Sequence, residues 1–199
     1  MPDIDLPAKL AVSPTGTLAG GNGVYTKHLA DMSGVYRDTA AYEAELTERG
    51  GDALVYRVES QDYGPHSGAL TIGTSTLLPG RVGDEFAVTR GHLHAISDRA
   101  ELYYCLSGRG VMLLETLDGR SEAFELTPGE AVNVPGEWIH RSVNVGDEPF
   151  VTLFTYATDA GQDYQLIADA HGMRSLVVAD GAGGWKLREN PDHTGYRRA

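Results

Sequence analysis

The chain is short of cysteine, of lysine and of long apolar runs, and each shortage removes a class of function. With Cys105 as its single cysteine, no intrachain disulfide can form, and a reducing, cytoplasmic setting is the expectation. Cys105 sits inside an apolar run at 102–106, which suits a core thiol better than a nucleophile. No stretch approaches membrane-spanning length, and no start-proximal run has the pattern of a secretory signal. The formal charge is -12, so there is no broad positive field to hold nucleic acid or an anionic membrane. A small phosphorylated substrate stays open, because a pocket's local field need not follow the sum over the surface.

What is abundant is glycine, with 25 residues in a chain of 199. It clusters with Pro, Asp and Asn between short apolar segments, the rhythm of an antiparallel, all-β protein with many turns. Strands are predicted over 53–59, 71–78, 85–89, 102–107, 110–116, 122–126, 131–134, 141–144 and 150–156. Asp118-Gly119 between two of these is a hairpin signal. A helix is expected over 38–49, with Asp38 as its cap and Gly50-Gly51 as its stop. A second, short helix is expected over 159–170, capped by Asp159. Segment 13–23 reads as turn-rich, and Trp185 with Leu187 as a last edge segment. The length suits one domain. It divides into an N-terminal extension (1–52), a barrel or sandwich (53–180) and a polar tail (181–199).

The chemistry concentrates in three histidines and a glutamate. His92 and His94 are spaced His-x-His, which on a strand puts both imidazoles on one face. Glu101 follows seven residues after His94, and His140 comes from a second block after the turn Pro135-Gly136. Neutral imidazoles with one carboxylate suit a single borderline first-row ion such as Fe, Mn, Ni or Zn. His28, His66, His171 and His193 stand alone and read as surface or satisfied core residues. Glu122, Glu125 and Glu130 read as a solvated face.

The flanking residues carry a resemblance. Pro79-Gly80, Gly83, Glu85-Phe86, Thr89, Gly91-His92-Leu93-His94, Glu101 and Tyr103 together resemble the signature of the cupin phosphoglucose isomerases. Segments 154–164, 172–178 and Glu189-Asn190-Pro191 are also similar to that family, so the likeness runs from about Tyr56 onward. It implies a jelly-roll β-barrel of the cupin type with an N-terminal extension and one or two short helices. It implies one divalent ion per chain, Fe(II) first and Mn, Ni or Zn otherwise, held by His92, His94, Glu101 and His140. Thr89, Gly91, Ser75, Tyr56, Tyr156 and Tyr164 then match positions that hold a sugar phosphate. Glu101 and Tyr103 match the catalytic positions, with Glu101 as the carboxylate that moves a proton between neighbouring carbons. A homodimer is implied as well.

Three positions depart from the family pattern. Ser75 stands where threonine is usual, Gln162 where histidine is usual and Glu137 where an aromatic residue is usual. Arg90, between Thr89 and Gly91, is expected to point away from both by strand alternation. Two other functions fit the same ligands. One is a different cupin metalloenzyme, such as a non-haem iron dioxygenase or another sugar isomerase or epimerase. The other is a non-catalytic sugar-binding cupin. Phosphate donors beside the ligands favour the isomerase.

Overall fold

The computed structural model describes residues 7–64, 66 and 68–198. Residues 1–6 of the expected extension and residue 199 of the expected tail lie outside that set.

A small hairpin comes first, β1 (Ala11–Val12) with β2 (Leu18–Ala19), inside the turn-rich segment. β3 (Gly23–His28) leads through a 3-10 turn into α1 (Thr39–Arg49). There follow β4 (Leu54–Asp62), β5 (Leu70–Leu77), β6 (Arg81–Val82), β7 (Glu85–Val88) and β8 (Glu101–Ser107). β9 (Gly110–Glu115), β10 (Ser121–Leu126), β11 (Ala131–Val134), β12 (Ile139–Asn144) and β13 (Phe150–Ala157) continue the run. The chain closes with α2 (Gln165–Asp169), β14 (Ser175–Ala179) and β15 (Trp185–Glu189).

α1 forms where the end signals predict it. The Asp38 carboxylate accepts from Ala41 N–H at 2.9 Å, satisfying a donor of the first turn. Gly50, at φ 82, then ends the helix. Tyr42 buries its ring and donates to the Leu29 carbonyl at 2.7 Å, fastening the helix to the barrel. The second helix differs from expectation. Only Gln165–Asp169 is helical, and Asp163 rather than Asp159 serves its first turn, accepting from Leu166 N–H at 3.1 Å. Asp159 lies in a 3-10 turn and binds Arg99 through two 2.9 Å hydrogen bonds. A strong charged partner outweighs a weak capping position.

The strands form two antiparallel sheets. One runs β10-β9-β12-β7-β14-β15, with β6 on β7, and the other β11-β8-β13-β5-β4-β3. Their inner faces meet in one core, so this is the all-β jelly-roll barrel expected. β3 and β14 add strands where none is predicted, and β15 is the edge segment that carries Trp185 and Leu187. Asp118-Gly119 makes the β9–β10 turn, with Glu115 opposite Ser121. Phe150 is fully buried against Gly110, where a Cβ would sit 2.3 Å from its ring. Cutting Phe150 back to alanine would cost about 3–5 kcal/mol, the usual penalty for a deleted core aromatic. Among the described residues no helix is long and apolar enough to cross a membrane.

Candidate active site

His92 and His94 do not lie on a continuous strand. Their segment is held by single bridges, His92 to His140 and Leu93 to Asp163. His92 N–H donates to His140 carbonyl at 3.1 Å, and His140 N–H returns to His92 carbonyl at 3.0 Å. Alternation still holds within this short extended piece. Leu93 turns into the core, and both imidazoles turn toward β8 and β12. Glu101, the first residue of β8, and His140, near the start of β12, complete a buried cluster. One ligand atom from each of the four residues lies within 4.8 Å of every other.

The orientation of the rings decides what the cluster is for. His94 Nδ1 lies 2.8 Å from the Arg99 carbonyl and His140 Nδ1 lies 3.0 Å from the Trp138 carbonyl. A carbonyl only accepts, so the proton of each neutral ring sits on Nδ1 and the Nε2 lone pair faces inward. Inward lies the Glu101 carboxylate, with Oε2 at 3.0 Å from His140 Nε2, 3.2 Å from His94 Nε2 and 3.9 Å from His92 Nε2. The Nε2 atoms of His92 and His94 are buried and make no aligned hydrogen bond. Lone pairs gathered around a buried carboxylate repel unless a positive charge stands among them. The residues therefore fit a divalent ion, with carbonyls behind two of the imidazoles fixing their tautomer.

The electrostatics show the same demand for positive charge, which imidazole protons can meet in place of an ion. Burial would raise the Glu101 carboxyl, but the contacts from His140 and His94 outweigh it and hold it down to about 2. Burial pushes His92 well below the ordinary imidazole range, and the adjacent His140 adds to the drop. His94 is raised despite its burial, because Glu101 and the Arg99 carbonyl favour its charged form. Burial also pushes the Tyr103 phenol well above its ordinary range, with the facing Glu101 charge in support. It stays a proton donor at any physiological pH.

The cavity beside this cluster brings together the predicted site residues. Tyr56, Ser75, Thr89, Gly91, Tyr103, Tyr156 and Tyr164 all line it with His92, Glu101 and His140. Thr89 Oγ1 accepts from Ser142 N–H at 3.0 Å, so its own proton is left to donate into the cavity. Gly91 has φ 72, and a Cβ there would sit 2.9 Å from the His140 carbonyl and 3.0 Å from Arg141 Cβ, so only glycine fits. Gln162 is in the wall and accepts from the Tyr164 hydroxyl. Glu137 is not in the wall. It has φ 69, takes a 2.5 Å hydrogen bond from the Ser97 hydroxyl and pairs with Arg198 at 3.5 Å.

Three polar wall residues escape the sequence reading. Tyr25 comes from β3, where no strand is predicted, and its phenol meets Tyr164. Arg141 and Ser142 follow the last ligand, and only the pairing of β12 with β9 shows their surroundings. Arg90 does not line the cavity with Thr89, but its guanidinium lies over the Tyr164 ring at 5.7 Å from the centroid. A larger open groove of about 920 Å³ lies elsewhere, along Pro79–Arg81, Arg109 and the 181–184 turn, and contains none of the four ligands.

A jelly-roll barrel with three histidines and a glutamate converging in its interior is the architecture of a cupin, and those four residues fit a metal ion. The family described as glucose-6-phosphate isomerase matches residues 26–194, and the chain belongs to it. A glucose-6-phosphate isomerase of Sinorhizobium medicae is 47% identical over 176 residues, 88% of this chain and 82% of its own. A putative glucose-6-phosphate isomerase of Rhizobium meliloti is 44% identical, over 89% of this chain and 83% of its own. A glucose-6-phosphate isomerase of Thermococcus gammatolerans is also 44% identical, over 89% of this chain and 90% of its own. Among solved structures, an oxalate oxidase overlaps 55% of this chain and 54% of its own with a TM-score of 0.46 at 17% identity, too loose a likeness to bear on chemistry.

Proposed function

We propose that this protein is a metal-dependent isomerase that interconverts glucose 6-phosphate and fructose 6-phosphate at the centre formed by His92, His94, Glu101 and His140. The observation that carries the reading is the buried Glu101 carboxylate faced by imidazole nitrogens whose outer partners fix their tautomer. The family of the chain gives the substrate class. Bound there, a divalent ion, Fe(II) in our reading and Mn, Ni or Zn as substitutes, would act as a Lewis acid toward the sugar's carbonyl and hydroxyl oxygens.

The chain's own residues do the rest. Aldose–ketose exchange needs a base that takes a proton from one carbon and returns it to the next. Glu101 is ionised, buried and the one carboxylate in the cavity wall among the described residues. Tyr103, still protonated beside it, would donate to a sugar oxygen as charge develops there. Thr89 hydroxyl and Gly91 N–H, with Ser75 and the hydroxyls of Tyr56, Tyr156 and Tyr164, would grip the phosphate and set the reacting carbons against Glu101. These walls of hydroxyl groups favour a phosphosugar over the apolar pocket that oxygen chemistry prefers.

We further propose a cytoplasmic homodimer. Strand β3 ends its sheet among the described residues and leaves Val24 60% exposed, an edge that a second copy would cover.

The test is turnover of fructose 6-phosphate, read by a glucose-6-phosphate dehydrogenase couple, with unphosphorylated fructose as the control. Conversion of the phosphate ester alone is expected. Folded, metal-loaded protein that converts neither sugar would refute the reading.

A further inference from the structure

Arg141 follows a metal-ligand position on β12, so strand alternation turns it to the opposite face of the strand. It stands opposite Leu113 on β9 and shares that face with Glu115. There it is only 5% exposed, in a layer with Tyr36, Glu85 and Tyr196. A guanidinium buried to this degree ordinarily rests on a carboxylate. Among the described residues Arg141 has no ion pair, and both carboxylates of its layer are engaged elsewhere. Glu115 accepts from Arg174 N–H at 2.8 Å, Ser175 N–H at 2.7 Å and the hydroxyls of Ser121 and Tyr196. Glu85 accepts from Arg37 N–H at 2.7 Å and Asp38 N–H at 3.4 Å. Arg141 Nε has no partner.

One group does receive the guanidinium. Arg141 Nη2 donates to the Arg90 carbonyl at 2.6 Å. That carbonyl and the Gly91 N–H are two ends of one peptide unit. Gly91 N–H makes no hydrogen bond among the described residues, and Gly91 lines the cavity beside Thr89. A cation at the carbonyl end polarises the peptide and strengthens its N–H as a donor. The side chain also lies against the glycine itself, with Nε 3.1 Å from where a Cβ would be.

We propose that Arg141 is the positioning residue for the phosphate end of the substrate cavity. It fixes the plane of the Arg90–Gly91 peptide and delivers positive charge to a phosphate through that peptide. The inference rests on the reading that Thr89 and Gly91 grip the phosphate. It accounts for how an acidic chain with few lysines holds a dianion behind neutral donors.

The experiment combines kinetics with NMR on Arg141→Gln and Arg141→Lys. Labelling arginine carbonyl carbon with ¹³C and glycine nitrogen with ¹⁵N isolates the Arg–Gly peptides 49–50, 90–91 and 109–110. Inorganic phosphate is the titrant, and fructose 6-phosphate the substrate. In the native protein, phosphate should shift the Gly91 amide proton saturably. Arg141→Gln should raise both the KM and the inhibition constant of phosphate by about tenfold, with kcat within about threefold, and lysine should recover part. A purely structural arginine would lower the active fraction and leave both constants alone. Folded variants with native KM and native phosphate affinity would overturn the proposal. A native Gly91 amide that ignores phosphate would instead overturn the underlying assignment of the phosphate end. Should neither variant fold, the native protein still decides. The Arg141 Nε–H resonance must move in step with the Gly91 amide, and a silent Nε–H would overturn the proposal.

Discussion

Glu101 and Glu115 are both buried glutamates, on strands consecutive in the chain but in different sheets, and they do opposite work. Glu115 is fully enclosed, and its four partners, from β10, the start of β14 and the C-terminal tail, are all hydrogen-bond donors. They meet every demand of its charge and tie three distant segments to the barrel. Glu101 is as buried, yet it faces imidazole nitrogens whose protons are turned outward, and two of those nitrogens lack partners. A satisfied carboxylate is a rivet. An unsatisfied one, facing imidazole nitrogens with no other partner, marks a site that calls for positive charge and is able to take a proton.

Substitutions sharpen this contrast. Glu101→Gln should lower kcat by about a thousandfold, the scale of a lost general base, while the melting temperature holds or rises. Near-native turnover in that variant would remove Glu101 as the base. Glu115→Gln should do the reverse. It leaves backbone donors facing an amide and should cost about 2–3 kcal/mol in a denaturant titration. Turnover per folded molecule should stay within about twofold, and a large drop there would break the division between the two carboxylates. Thr89→Ala removes one neutral donor from the cavity wall and should raise KM for fructose 6-phosphate about tenfold, with kcat nearly unchanged. An unchanged KM would take Thr89 out of the phosphate grip.

The smallest effect concerns burial without function. Cys105 is fully buried, and burial first, then the Glu130 charge, pushes its thiol up to about 11. At pH 8 only about one thiol in a thousand is then ionised, so a soluble disulfide reagent should find Cys105 inert until the protein unfolds. Labelling of the folded protein within minutes would contradict that placement.

Three of the four ligands were legible because their spacing is local, whereas His140, 39 positions beyond Glu101, was legible through the turn before it and the family likeness. His92-Leu93-His94 needs only an extended backbone to align two rings, and Glu101 heads the strand that the apolar run 102–106 predicts. The cavity walls were legible only through family likeness, since nothing in a lone Tyr56 or Tyr164 separates a ligand contact from rim packing. Contacts across the sheets were not legible at all. Tyr25 reaches the site because β3 pairs with β4, and Arg141 finds the Arg90 carbonyl only once β7 and β12 are aligned. β14 did carry a signal, the run Leu176-Val177-Val178, but three apolar residues give too short a period to assign. Asp159 misleads for a related reason. Its capping pattern is real, yet Arg99, 60 positions away in sequence, takes the carboxylate and braces the carbonyl behind His94.

The most direct test of the central claim is a metal titration of chelator-stripped protein, following fructose 6-phosphate turnover against equivalents of Fe(II). The account predicts no turnover at zero metal and a linear rise that breaks at one ion per chain. Glu115→Gln should follow the same line, and Glu101→Gln should stay near zero throughout. Full turnover by the stripped protein, or a rise that continues well past one ion per chain, would contradict it.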